Sequence, residues 1–161
     1  MSAFQRLHRL CPWKPHVKKG NVKDHHLLKV PQYVGNPGWI LLTHEDNRAV
    51  AWFVDQRDTP VPLPIVLDER LFSDTVIRVV QLKPSVFLVC DIRYLNGLNV
   101  YEKLSYESRR TLLESLLDEC HHPDLTALLT YVEMPEDASI RGYEHYDNEP
   151  GTMGVFLPVK E

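Results

Sequence analysis

The sequence predicts an α+β domain in which a mostly antiparallel sheet is packed by one main helix. Three observations predict this class. Short apolar stretches rich in β-branched and aromatic residues alternate with turn signals, and the segment 106–120 repeats leucines at helical spacing. The most apolar strand, which begins at Val86, leads through Asp91 to an Asn-Gly turn at residues 96–97. At 161 residues, one domain is large enough to bury its own core.

A basic arm, residues 1–31, precedes the domain proper, residues 32–161. Residues 1–30 carry seven lysines and arginines against Asp24 alone, a balance of +6, so the net charge of −4 leaves −10 for the remainder. This asymmetry favours contact between the arm and phosphates or an acidic protein partner, and a solvated tail is the alternative. The candidate nucleic-acid contacts of the arm are Arg6, Arg9, Lys14, Lys18, Lys19 and Lys23. A short amphipathic helix over residues 3–10 is also expected.

The first predicted unit of the sheet is a β-hairpin. Residues 39–44 and 48–54 are apolar runs joined by the turn Glu45-Asp46-Asn47. The proline-rich segment 59–64 is expected to be an extended connector, because prolines cannot supply a regular hydrogen-bond ladder. Further strands are predicted at residues 65–67, at 75–82 and from Val86, with a turn at 83–85 between the last two.

The clearest helix is predicted from Tyr106 to Cys120. Ser105 suits the N-cap, Glu107 lies in the first turn, and Pro123 ends the helix. A strand at residues 127–133, a polar loop at 135–151 and a last strand at 154–158 complete the prediction.

The remaining composition predicts a cytoplasmic or nuclear protein. Its start lacks the apolar centre of a signal peptide, and no apolar run reaches the length of a membrane span. The three cysteines have no disulfide spacing. No spacing fixes a zinc site either, although soft ligands occur at Cys11, His16, His25, His26, Cys120, His121 and His122.

Residues 86–97, followed by Leu104-Ser105-Tyr106-Glu107-Ser108-Arg109-Arg110, resemble a segment of ATP-dependent DNA ligases and mRNA capping enzymes. In that segment a hydrophobic strand, an Asp, a Tyr-Leu-Asn-Gly turn and a Ser-Glu-Arg-Arg helix start follow one another. The family is the covalent nucleotidyltransferases, which include non-catalytic relatives such as the cap-binding domain of snurportin. The resemblance implies their nucleotide-binding module, without the oligonucleotide-binding domain that follows it in the enzymes.

The family's catalytic positions are altered in this chain. The nucleophilic lysine of its K-x-D-G turn is replaced by Gly35, which has no amine to attack a phosphate. Arg70 and Arg141 fall where the family has acids, and Cys90 replaces an aromatic residue. In the same register Lys160 corresponds to a phosphate-binding lysine. An alternative register places Met153-Gly154-Val155-Phe156 at the second acidic site, where the acid is missing too. The two arginines are expected to hold phosphates or to pair with neighbouring acids such as Asp68 or Glu144.

The resemblance therefore implies a non-catalytic module that binds a nucleotide, an RNA cap or a nucleic-acid end, with no cofactor and no metal. Two alternatives are a protein-interaction module with a filled pocket and an active nucleotidyltransferase that uses Lys29. Asp91 is expected to assist a ligand pocket or to hold turn amides at the strand end. Alternation does not decide which tryptophan faces inward. The candidate ligand-binding residues are Trp39, Trp52, Arg70, Phe87, Asp91, Arg141 and Lys160.

Overall fold

The computed structural model describes residues 17–19, 28–55, 57, 60–63, 73–118, 126–129, 139–151 and 154–158. The helix expected at residues 3–10 and the strand expected at 65–67 lie outside these ranges. In chain order, the described elements are β1 Val17–Lys19, β2 Leu28–Tyr33, β3 Asn36–Glu45, β4 Arg48–Asp55, β5 Pro60–Pro62, β6 Thr75–Lys83, β7 Val86–Leu95, β8 Leu98–Asn99, α1 Val100–Lys103, α2 Tyr106–Asp118, β9 Thr126–Leu129, β10 Ile140–Tyr146 and β11 Gly154–Pro158.

These strands form two sheets. The large sheet has the order β5-β4-β3-β6-β7-β8, and β9 also pairs with β7. Its pairs are antiparallel except for β9, which runs parallel to β7. The small sheet has the order β1-β11-β10-β2 and is antiparallel except for β1. The predicted α+β class with a mostly antiparallel sheet is confirmed at this level.

Two of the turns that the sequence signals in the large sheet are tight two-residue hairpin turns. Asp46 and Asn47 have φ of 50° and 63°, and Asn96 and Gly97 have φ of 49° and 84°. Positive φ at both central residues matches the twist of the flanking strands, and Asn, Asp and Gly adopt it most readily. The hairpin of β3 and β4 and the central strand β7 are therefore confirmed as predicted.

Two segments differ from the prediction. Residues 60–62 are not a connector but the edge strand β5, paired with β4, because an edge strand needs hydrogen bonds on one side only. The expected loop 135–151 contains β10, in which buried Gly142, Glu144 and Tyr146 alternate with less buried residues. Polar residues on both faces of this strand hide the period-two pattern from a reading of apolar residues alone.

The small sheet also takes in part of the basic arm. β1 lies wholly within residues 1–31, and β2 crosses the boundary drawn at residue 31. β2 pairs with β10 along its length, from Tyr33 opposite Ile140 to Leu28 opposite Tyr146. The arm is thus attached to the folded domain through two strands.

The two faces of the large sheet pack against different partners. One face forms the main core, in which Phe53, Phe87 and Ile92 pack with Leu113 of α2. The predicted helix is confirmed from Tyr106 to Asp118, and residues 119–120 lie outside the description. The opposite face meets the small sheet through Tyr33, Val80, Leu88 and Cys90. Within the described residues, no helix is long and apolar enough to cross a bilayer.

Candidate functional site

Trp39 and Trp52 lie on the same face of the large sheet. In the register of β3 and β4, Trp52 is directly opposite Leu41, and Leu41 is two residues from Trp39. Direct partners share a face, and so do residues two apart along a strand. The sequence pattern did not decide which tryptophan faces inward. The structure shows that both tryptophans point to the side on which the small sheet packs.

Around the tryptophans lies an apolar cluster that we call the aromatic patch. Trp39 is buried, whereas Trp52 and Tyr94 are half-buried. The aromatic patch consists of Trp39, Leu41, Trp52, Val54, Val76 and Tyr94. Rings of this kind offer flat faces on which a base or another planar group can stack.

An ion pair between the two sheets borders the aromatic patch. Arg78 on β6 is the register partner of Trp39, and its guanidinium donates to both oxygens of Glu144 on β10, at 2.9 and 2.7 Å. Glu144 also accepts hydrogen bonds from Gln32 Nε2 and Tyr146 Oη, each at 2.6 Å. Every partner of this carboxylate is internal, so Glu144 joins the small sheet to the large one.

Burial and pairing act in opposite directions on these two groups. Burial alone would lower the pKa of Arg78, but the Glu144 carboxylate raises it well above its ordinary value. Burial likewise would raise the pKa of Glu144, and Arg78, Tyr146 and Gln32 together lower it. Both groups are therefore charged at neutral pH, and each neutralises the other.

Asp91 forms a second buried ion pair, with Arg109 of α2. Its two carboxylate oxygens accept from Arg109 Nε at 2.7 Å and Nη2 at 3.1 Å, and Oδ1 also accepts from the amide of Ile92. Arg109 Nη1 donates to the carbonyl of Leu104 at 2.7 Å. Asp91 therefore does not end the strand, because β7 continues to Leu95, and its carboxylate anchors the helix α2 through Arg109.

Two stacked tyrosines lie between these ion pairs. The rings of Tyr106 and Tyr146 are 3.8 Å apart and differ in plane by 3°. Burial raises the pKa of both phenols well above the ordinary value, and the carboxylates of Asp91 and Glu144 add to the effect. The phenols stay neutral, and the stack fills space between α2 and the small sheet.

The other candidate residues are dispersed. Phe87 packs edge-to-face on Phe53 in the core beneath α2, on the opposite face from the aromatic patch. Arg141 is exposed, with its guanidinium over the ring of Phe156 at 5.4 Å, and Glu144 is paired with Arg78 rather than with Arg141. Arg70 and Lys160 lie outside the described residues, as do Arg6, Arg9, Lys14 and Lys23; of Lys18 and Lys19 only the strand β1 is described.

Gly35 stands in a position that cannot accept a side chain. A Cβ added there would lie 2.6 Å from Val80 Cγ1 and 2.8 Å from the carbonyl oxygen of Gln81. Such distances require β6 to shift, so a lysine could not replace this glycine without rearrangement. Lys29, the alternative amine, is exposed on β2 with its Nζ 4.1 Å from the ring centroid of Tyr143.

The fold and the site define a two-sheet α+β domain with an aromatic patch beside two closed ion pairs. Among the described residues, no group of three or more histidines, cysteines or acids is arranged to hold a metal ion. No protein-family model matches the chain, and a search of curated proteins finds no match.

Sequence reasoning missed the buried pairings of Arg78 and Arg109, and it considered Glu144 only as a partner of Arg141. The only sequence signal for Arg109 is its position in the Ser-Glu-Arg-Arg helix start, eighteen residues after Asp91. Arg78 is flanked in its strand by the apolar residues 76–77 and 79–80, which is a signal for a buried and paired charge. The pairing of Glu144 with Arg78 gave no signal, because the strand that carries Glu144 was predicted as a loop.

Proposed function

We propose that this chain is a non-catalytic module that binds a nucleotide, an RNA cap or a nucleic-acid end on the aromatic patch. The observation that carries the proposal is the common orientation of Trp39 and Trp52, in which the half-buried Trp52 packs beside the buried Trp39 on one sheet face. Stacking on such rings is tolerant of base identity and contributes about 1–3 kcal/mol per base. The resemblance of residues 86–110 to ligases and capping enzymes supports the same ligand class.

Two observations support the part of the proposal that assigns no catalytic activity to this chain. The position that corresponds to the family's nucleophile is Gly35, against which β6 packs too closely for a side chain. The two buried carboxylates near the patch, Asp91 and Glu144, are each held by an arginine, which leaves neither of them available as a metal ligand. Binding without group transfer is the function that agrees with both.

The pairing of these buried charges within the domain also favours a second candidate, a protein-interaction module with a filled pocket. The guanidinium groups of Arg78 and Arg109 form ion pairs with carboxylates inside the domain. The Tyr106–Tyr146 stack fills space between the helix and the small sheet. A partner protein would then contact the rim of the patch rather than enter a cleft. The two candidates differ in whether small nucleotides bind.

Tryptophan fluorescence distinguishes the nucleotide-binding module from the protein-interaction module. Titration of the full chain with m7GpppG, GTP, ATP and a short capped RNA is expected to quench emission, because a stacked base quenches indole. Trp52→Leu, which keeps the position apolar, is expected to weaken binding about fivefold or more. The matched control is Val61→Ala, an exposed residue of the neighbouring edge strand, which is expected to change binding less than twofold. Absence of quenching by every nucleotide at low salt would favour the protein-interaction module.

A further inference from the structure

A second surface lies on the small sheet, on the face directed away from the large sheet. Glu144 and Tyr146 of β10 point inward to Arg78 and Tyr106, so the alternate residues Tyr143 and His145 take the outer face. Their register partners share that face. On β2 these partners are Pro31 and Lys29, and on β11 they are Leu157 and Val155.

The accessible part of this outer face combines an aromatic ring with a cation. Lys29 is exposed, Tyr143 is half-buried, and Leu157 keeps 37% of its surface. Lys29 Nζ lies 4.1 Å from the centroid of the Tyr143 ring, so a positive charge sits directly over an aromatic platform. Val155, at the other side of the row, is buried, which limits the accessible area to the strands β2 and β10 and the end of β11.

Part of the basic N-terminal segment of the chain belongs to this sheet. β1 and β2 both come from the basic N-terminal part of the chain, and they form the two edges of the small sheet. Residues 1–30 carry +6, whereas the rest of the chain carries −10. Of the lysines in this segment, the structure places Lys18 and Lys19 in β1 and Lys29 in β2.

We propose that the outer face of the small sheet, with Lys29 and Tyr143 at its centre, docks a single-stranded polynucleotide. The phosphates supply the negative charge that this basic segment complements, and a base replaces the Lys29 ammonium over the Tyr143 ring. The displaced ammonium then contacts a phosphate. The surface lies on the opposite side of the small sheet from Glu144, so it is separate from the aromatic patch. The inference extends the proposed function from one nucleotide to the strand attached to it.

Fluorescence anisotropy with labelled U12 and dT12 tests the inference and distinguishes RNA from DNA as the source of the strand. The full chain is expected to bind at least one of the two at low salt, with affinity falling as salt rises. Lys29→Ala is expected to reduce the magnitude of the log–log salt slope by about one. Tyr143→Leu is expected to weaken binding about fivefold or more. The matched control is Lys103→Ala, an exposed lysine at the end of α1, which is expected to change affinity less than twofold.

Three results would overturn the inference: no binding of either oligonucleotide, equal losses in Lys29→Ala and Lys103→Ala, or equal competition by polyglutamate. Circular dichroism melts of each variant separate loss of binding from loss of folding. The outcome is independent of the aromatic patch. If nucleotides fail to quench tryptophan but Lys29-dependent oligonucleotide binding persists, only the proposal for the patch fails.

Discussion

Arg109 and Asp91 form a two-pronged ion pair that joins the start of α2 to the middle of the central strand. The two hydrogen bonds measure 2.7 and 3.1 Å, and the side chains are 1% and 0% exposed. A charge buried to this extent is tolerated only with a geometrically matched partner. The acid that looks from sequence like a ligand contact is therefore part of the framework that positions the helix.

Removal of one partner of this pair is expected to destabilise the fold strongly. Arg109→Ala leaves the Asp91 carboxylate buried without its counter-ion, which costs about 3–5 kcal/mol of unfolding free energy. Arg110→Ala is the matched control, since the neighbouring side chain is only half-buried, and we expect a loss below about 1 kcal/mol. Urea denaturation of both variants measures the difference. Equal losses of unfolding free energy in the two variants would contradict a stabilising role for the Arg109–Asp91 ion pair.

The inter-sheet ion pair is expected to make stability depend on acid pH. The pKa of Glu144 is below its ordinary value of 4.5 in the folded protein. The unfolded chain therefore binds a proton first as the pH falls, so the stabilisation is complete above about 4.5 and is lost as the pH drops through the folded pKa. Urea midpoints of the native protein should decline over this range.

Glu144→Gln is expected to lower stability at pH 7 by about 3–5 kcal/mol, because Arg78 is left buried without a counter-charge. It should also flatten the decline below pH 4.5. Glu107→Gln is the control, since this glutamate is exposed in the first turn of α2. If stability of Glu144→Gln declines with falling pH as it does in the native protein, Glu144 is not the group that causes the decline.

Much of the fold can be predicted from residue pattern. The hairpin of β3 and β4, the central strand β7 and the helix α2 each carry a strong local signal, either a run of apolar residues bounded by turns or a leucine repeat. The strand β10 could not be predicted, because its inward residues are Gly142, Glu144 and Tyr146. Two of these three inward residues are polar or lack a side chain, so the strand becomes recognisable only when Arg78 is known to face it.

The site was less predictable than the fold. The pattern identified Trp39 and Trp52 as candidates, but their common face depends on strand register, which the sequence did not give. Asp91 was singled out correctly as an acid in need of partners. Its partner Arg109 lies in another element, and tertiary pairings of this kind leave no local trace in the sequence.

Crowding at Gly35 is expected to be measurable. Gly35→Ala places a Cβ against Val80 and Gln81, and the resulting strain should cost about 1–3 kcal/mol. Val34→Ala is the control one residue away, where the side chain is 57% exposed and a change within about 0.5 kcal/mol is expected. Thermal or urea unfolding measures both. An alanine tolerated at residue 35 would mean that the position has room for a side chain after all.

Binding without covalent transfer is tested most directly by retention of labelled nucleotide before and after denaturation. The full chain is dialysed to equilibrium against α-labelled GTP or ATP with magnesium, and half of the sample is then acid-precipitated. We expect label to be retained in excess by the native protein, to be reduced in Trp52→Leu, and to be absent from the precipitate. Label that survives precipitation, or no retention by the native protein, would contradict the proposed function.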